Sequence, residues 1–144
     1  MGGMAEIAIL RIARGSATVR RTSRRMNCPA LTTMAIASLT LEEREIVRRA
    51  MEATFRYFDF DFHTRLGVTP EEMRSLLLAW PTIDDSDDGS KACLAINNSL
   101  NDLLNGEGIS EAEALDSTGT TCAEMRRVYS KWATARGWNA TGIR

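Results

Sequence analysis

DDSDDGSKACLAINNSLNDLLNG, residues Asp84 to Gly106, is an acidic loop that runs into an apolar helix. On a helical wheel Ala92, Cys93, Ile96, Leu100, Leu103 and Leu104 share one side, and the spacing is that of a helix packed on a core. Asn98, Asn101, Asp102 and Asn105 fall on the other side, with Leu94 among them. Gly106 is placed to end the helix, because a left-handed cap costs least without a Cβ. Asparagine is a poor helix former, since its amide competes for nearby backbone groups. Asn97, Asn98, Asn101 and Asn105 each sacrifice ~0.5 kcal/mol against alanine. Two explanations compete. Either the amides are solvated or bond neighbouring loops, or Leu94, Asn97, Asn98, Asn101, Asp102 and Asn105 form a polar face that meets a partner protein or a second copy.

The loop before the helix carries a metal motif in part. Asp84-x-Ser86-x-Asp88-Gly89 matches the first six positions of an EF-hand-like calcium loop. Position eight is then Lys91, and position twelve, where a bidentate Glu belongs, is Ala95. Asp84, Ser86 and Asp88 are therefore the candidate metal ligands, and they need donors from elsewhere. Without those the run is a solvated loop whose Asp87, Asp88 and Ser90 favour the positive N-terminus of the next helix.

Toward the N-terminus, Pro81 ends a helix that Thr69-Pro70-Glu71-Glu72 opens as a capping box with proline at the first helical position. Met73, Leu76, Leu77 and Trp80 are its predicted buried stripe. Thr40-Leu41-Glu42-Glu43 is another capping box. Ile46, Val47, Ala50, Met51, Thr54, Phe55, Phe58 and Phe62 follow it at helical spacing. Glu45 and Arg49, Glu52 and Arg56, and Asp61 and Arg65 are four apart with the acid first, the favourable orientation. One long helix over about 41–65 is expected, ended by Gly67. Phe58-Asp59-Phe60-Asp61-Phe62 also alternates like a strand, and a short break there is the alternative. On a continuous helix Asp59 and His63 share a face, but one carboxylate and one imidazole are too few ligands for a metal. The junction Arg65-Leu66-Gly67-Val68-Thr69-Pro70-Glu71-Glu72-Met73-Arg74 resembles the turn of helix-turn-helix DNA-binding domains. That resemblance implies DNA binding, yet Glu71 and Glu72 bring the wrong charge to a phosphate where the recognition helix would begin.

Toward the C-terminus, Ser110-Glu111-Ala112-Glu113 is a third capping box, with Ile109 as its hydrophobic staple and a short helix to about Asp116. Thr121-Cys122-Ala123-Glu124 is a fourth. The last helix turns Met125, Val128, Tyr129, Trp132 and Ala133 inward and Arg126, Arg127, Ser130, Lys131 and Thr134 outward, with Gly137 as its C-cap. The expected fold is all-α: a compact bundle of about five helices, near 41–65, 70–80, 90–105, 111–116 and 122–136, in one domain over 39–144.

Residues 1–38 read differently. They hold six arginines against one glutamate, a balance of +5, whereas residues 39–144 hold twelve basic and eighteen acidic residues, a balance of −6. They are expected to be a disordered basic extension, or sequence upstream of a start at Met26 or Met34. Ser23-Arg24-Arg25-Met26 resembles a twin-arginine signal, with Ala35-Ile36-Ala37 like a cleavage site, and the Arg/Ser/Thr bias also suits an organellar transit segment. A cytoplasmic location is expected, and export or an organelle is the alternative. No stretch approaches the ~20 apolar residues of a membrane span.

An acidic body is a poor electrostatic match to nucleic acid. Cys28, Cys93 and Cys122 are far apart and His63 is the one histidine, which argues against a disulfide framework, a zinc knuckle and a Cys–His nucleophile pair. No glycine-rich phosphate loop, nucleophile elbow or paired-carboxylate motif is present, and no cofactor is expected. What remains is a small helical protein that acts by contact, as a protein-interaction or regulatory module. Its possible docking surfaces are the asparagine face and the basic face of the last helix. DNA binding and divalent-metal binding are the alternatives.

Overall fold

A computed structural model of the protein describes residues 34–59 and 61–138, and every described residue lies within the unit that spans 33–144. The described residues form helices and no strand. A 3-10 helix at Ala35–Ser38 leads into α1 (Leu41–Tyr57), α2 (Phe62–Leu66), α3 (Pro70–Ala79), α4 (Lys91–Asn101), a single π-helical turn (Asp102–Gly106), α5 (Glu111–Thr118) and α6 (Cys122–Ala135).

The helices start where side-chain oxygens can satisfy their first amides. Thr40, Thr69 and Ser110 each make the reciprocal capping box with Glu43, Glu72 and Glu113. Ser90 caps α4 through the Cys93 amide. At α6 the predicted box is half made. Thr121 accepts the Glu124 amide, but the Glu124 carboxylate turns outward to Arg127 at 2.6 Å. The C-terminal glycines are less regular than expected. Gly67 and Gly119 cap α2 and α5 in the left-handed region, as the freedom of glycine permits. Gly106 does not: it lies inside the π turn, and Gly108 takes the positive φ instead. α5 runs two residues beyond the expected Asp116.

The long helix over 41–65 is not continuous. α1 ends at Tyr57, Phe58 is extended (φ −119°, ψ 132°), and the chain restarts at Phe62 as α2. The alternation of aromatic residues and aspartate has low helix propensity, so the break costs little. It leaves Phe58 and Phe62 both buried, stacks Phe62 on Phe55 with centroids 5.0 Å apart, and lets the Arg65 guanidinium cover the Phe58 ring at 4.4 Å.

α1 and α4 form the centre. α1 packs on α3, α4, α5 and α6, and α4 packs on α1, α2, α3 and α6. Val47, Met51, Ile96, Leu100, Met125, Val128 and Trp132 are fully enclosed between them. At about 1.5–3 kcal/mol for each large side chain buried, this shared interior is the main stabilising force. α3 is more loosely held. Of its predicted stripe only Met73 is buried, Leu76, Leu77 and Trp80 are half-buried, and Leu78 is exposed.

The boundary at residue 38 also moves. Ala35, Ile36 and Leu39 are buried, and the Ile36 amide donates to Asp85 Oδ2 at 3.0 Å. The packed unit therefore includes the 3-10 helix that was assigned to the extension, and a cut after Ala37 would remove two core residues. The expectations for residues 1–33, including a disordered extension and a targeting signal, lie outside the described residues.

A candidate docking groove on the last helix

The outward face of α6 is not flat. Arg127, Ser130, Lys131, Thr134 and Ala135 of α6, with Ser38 of the 3-10 helix, line a shallow groove of about 610 Å³. Residues 127, 130, 131 and 134 recur at the three- and four-residue spacing that keeps side chains on one face. Within this one groove lie a guanidinium, an ammonium and three hydroxyls.

Glu43 sets the electrostatics. It is the third residue of α1 and 6% exposed. Its Oε2 accepts the Thr40 amide at 2.8 Å and Lys131 Nζ at 2.8 Å, and its Oε1 accepts Arg127 Nη2 at 3.0 Å. Lys131, then the Thr40 amide, then Arg127 stabilise the charged form and outweigh the opposing effect of burial, so the Glu43 carboxyl titrates near 2. The hydrogen bonds that Arg127 donates to Glu124 and Glu43 raise its pKa further. The two cations are not consumed. Arg127 and Lys131 are 51% and 39% exposed, and Glu43 takes one N–H of the three on Lys131. Neither cation of this face pairs with the acidic loop. The residue that does so is Arg136, at the end of α6, which reaches Asp88 and the Asp85 carbonyl.

The other candidate residues are placed as follows. Asn97 Oδ1 accepts the Tyr129 hydroxyl at 2.7 Å and its amide donates to Asn98 Oδ1. Asn98 Nδ2 donates to the Leu66 carbonyl at 3.0 Å, which ties α4 to the end of α2. Asn101 accepts from Asn105, and Asn105 accepts from Arg126 at 3.0 Å. Asp102 pairs with Arg65 at 3.4 Å. Leu94 is half-buried, and a Cβ on Gly67 would lie 3.4 Å from its Cδ1. The fold itself thus engages the amides of the asparagine helix.

In the acidic loop Asp84 Oδ1 accepts both the amide and the hydroxyl of Ser86, and Asp88 is held by Arg136. Among the described residues no group of three or more His, Cys, Asp and Glu is placed to hold a metal ion. Asp59 lies outside any helix and His63 is exposed on α2, so they share no helical face. The helix before the Gly67-Val68-Thr69 junction has five residues, and α3 exposes Glu71, Arg74, Ser75 and Leu78. Cys122 is half-buried and hydrogen-bonded toward the Ile109 carbonyl. Burial, then Glu111, raises its pKa, which makes it a weak nucleophile.

Asp85 is the residue that sequence reasoning missed. It is fully buried. Its Oδ2 accepts the Trp132 indole at 2.7 Å as well as the Ile36 amide. The Arg136 guanidinium lies beside it and within cation–π distance of both Trp132 and Trp138, at 5.1 and 5.0 Å from the ring centroids. In sequence Asp85 is one of four aspartates in five residues. Its only distinguishing signal is the spacing of two from the apolar Ile83, which is also buried.

No family model matches the chain, and no curated protein or solved structure matches it.

Proposed function

We propose that this protein is an interaction module, and that the groove between α6 and the 3-10 helix docks an acidic segment of a partner protein. The observation that carries this is the pairing of Arg127 and Lys131 on one face, each half-exposed and with donors that the Glu43 and Glu124 carboxylates leave unused. Exposed charge pairs contribute about 0.2–1 kcal/mol each, so the contact is weak, suited to a reversible partner and sensitive to salt.

The test is fluorescence anisotropy of the full chain with a labelled peptide rich in Glu and Asp, against a Lys-rich peptide of equal length. The acidic peptide is expected to bind saturably at low salt and the basic one not to bind. Thr134→Glu puts a negative charge in the groove without touching Glu43, and is expected to weaken binding about tenfold. Equal binding by Thr134→Glu, or no saturation in the native chain, would refute the assignment.

A further inference from the structure

The two sides of the groove belong to elements far apart in sequence. Ser38 sits on the 3-10 helix, whose carbonyls are held to α1 by Arg44: its Nε donates to the Ile36 and Leu39 carbonyls at 3.1 and 3.0 Å, and its Nη2 to the Ala37 carbonyl at 3.2 Å. Arg127 to Ala135 sit on α6. These two walls pack on each other directly, and a third element, the loop between α3 and α4, bonds to both. Asp85 Oδ2 accepts the Ile36 amide from one wall and the Trp132 indole from the other. Both bonds are buried, where they are strongest and where an unmade bond is most costly. The two donors fill the lone pairs of that oxygen, and Asp85 Oδ1 has no partner. Arg136, whose side chain is 3% exposed, grips the same loop through the Asp85 carbonyl and Asp88.

We infer that Asp85 is the positioning residue of the groove: a single carboxylate oxygen receives a donor from each wall and so fixes their separation. The inference rests on the docking role proposed for the groove, but the geometry it describes can be read without any ligand. Trp132 is on the inner face of α6, one residue after Lys131, so a rotation of α6 that breaks the indole bond also moves the ammonium. Ile36 is two residues before Ser38. Loss of the carboxylate removes a buried bond from both sides at once. The acidic loop then acts on the groove from inside the molecule, although its exposed carboxylates face solvent.

The experiment compares Asp85→Ala, Asp85→Asn and Trp132→Phe in the full chain by amide hydrogen exchange and by anisotropy with the Glu/Asp-rich peptide. Asp85→Asn keeps a carbonyl oxygen for both donors but removes the charge beside Arg136, and is expected to fall between the native chain and Asp85→Ala in both measurements. Asp85→Ala is expected to speed exchange at Ile36 through Ser38 and at the Trp132 indole, and to weaken peptide binding about tenfold, with far-ultraviolet circular dichroism unchanged. If Asp85→Ala does not fold, Trp132→Phe removes one donor and keeps an aromatic ring. It is expected to loosen residues 127–135 and leave Ile36 protected. Unaltered exchange at both walls in Asp85→Ala, or in Trp132→Phe if that variant alone folds, overturns the inference. Altered exchange with undiminished peptide affinity also overturns it, since Asp85 would then hold the core and not the groove. A native chain that binds no peptide refutes the docking role alone, and the exchange data still decide whether Asp85 couples the walls.

Discussion

Glu43 shows how much one side chain can be asked to do. It closes the capping box of α1, and its carboxylate also receives Lys131 and Arg127 from the last helix. The folded carboxyl titrates near 2, below its ordinary value of 4.5. The native state therefore binds fewer protons than the unfolded chain between those values. The stabilisation is fully present above about pH 4.5, falls as pH drops, and is gone below about pH 2. Its size is about 2 kcal/mol after allowing for the solvent that screens the two half-exposed cations. Urea unfolding at a series of pH values should show this loss. In Glu43→Gln the same series should be flatter, and the variant should be less stable than the native chain at pH 6. An unchanged slope would mean that the Glu43 ion pairs are as weak as ordinary surface pairs.

At the scale of elements, the π turn at the end of α4 carries a requirement that the sequence hides. Gly106 looks like a helix cap, and its lack of a side chain is needed for a different reason. A Cβ there would collide with Asp102 Oδ1 and lie 3.3 Å from Arg65 Nη2. The wider turn brings the two residues together, and the Asp102–Arg65 pair fills the space a methyl would take. Gly106→Ala should push the Asp102 carboxylate aside and weaken its pair with Arg65, at a cost of about 0.5–1 kcal/mol. In an Asp102→Ala background the same substitution should cost close to nothing, because the obstacle is gone. Urea midpoints of the four chains give the coupling directly, and additive effects would refute the collision. Other features of the elements were legible. Helix starts could be read from Thr40, Thr69, Ser110 and Thr121 because a capping oxygen acts within three residues of itself. The core faces of α1, α4 and α6 could be read because burial follows the helical period. The break at Phe58 could not, since a continuous helix and an interrupted one place the same phenylalanines inside. Nor could the fate of Glu124, whose choice between its own helix cap and Arg127 is settled by side chains three residues apart. The groove was half legible: the basic face of α6 follows from spacing, but its other wall comes from residue 38, and the carboxylate beneath comes from Glu43, 88 residues from Lys131.

For the molecule as a whole, the question is where the cooperative unit begins. Composition places the change within the uncharged stretch between Arg25 and Glu42, which the sequence reading divides at residue 38. Packing places it earlier. Ile36 is 3% exposed, Ala35 is enclosed beside it, and the Ile36 amide is one of two donors to a buried carboxylate. Arg44 spends three hydrogen bonds on carbonyls of residues 36, 37 and 39. A chain that begins at Leu39 loses the buried area of Ile36 and leaves Asp85 with one donor fewer, together about 3 kcal/mol. That is a large share of the 5–15 kcal/mol typical of a domain. A chain that begins at Met34 keeps all of these contacts. Chemical unfolding of the two truncated chains should therefore differ by about that amount, with the Leu39 start the weaker. The Leu39 start should also lose binding of the acidic peptide, since one wall of the groove leaves with Ser38. Equal stability would mean that the 3-10 helix rests on the bundle without being part of it, and the groove would then have one fixed wall and not two.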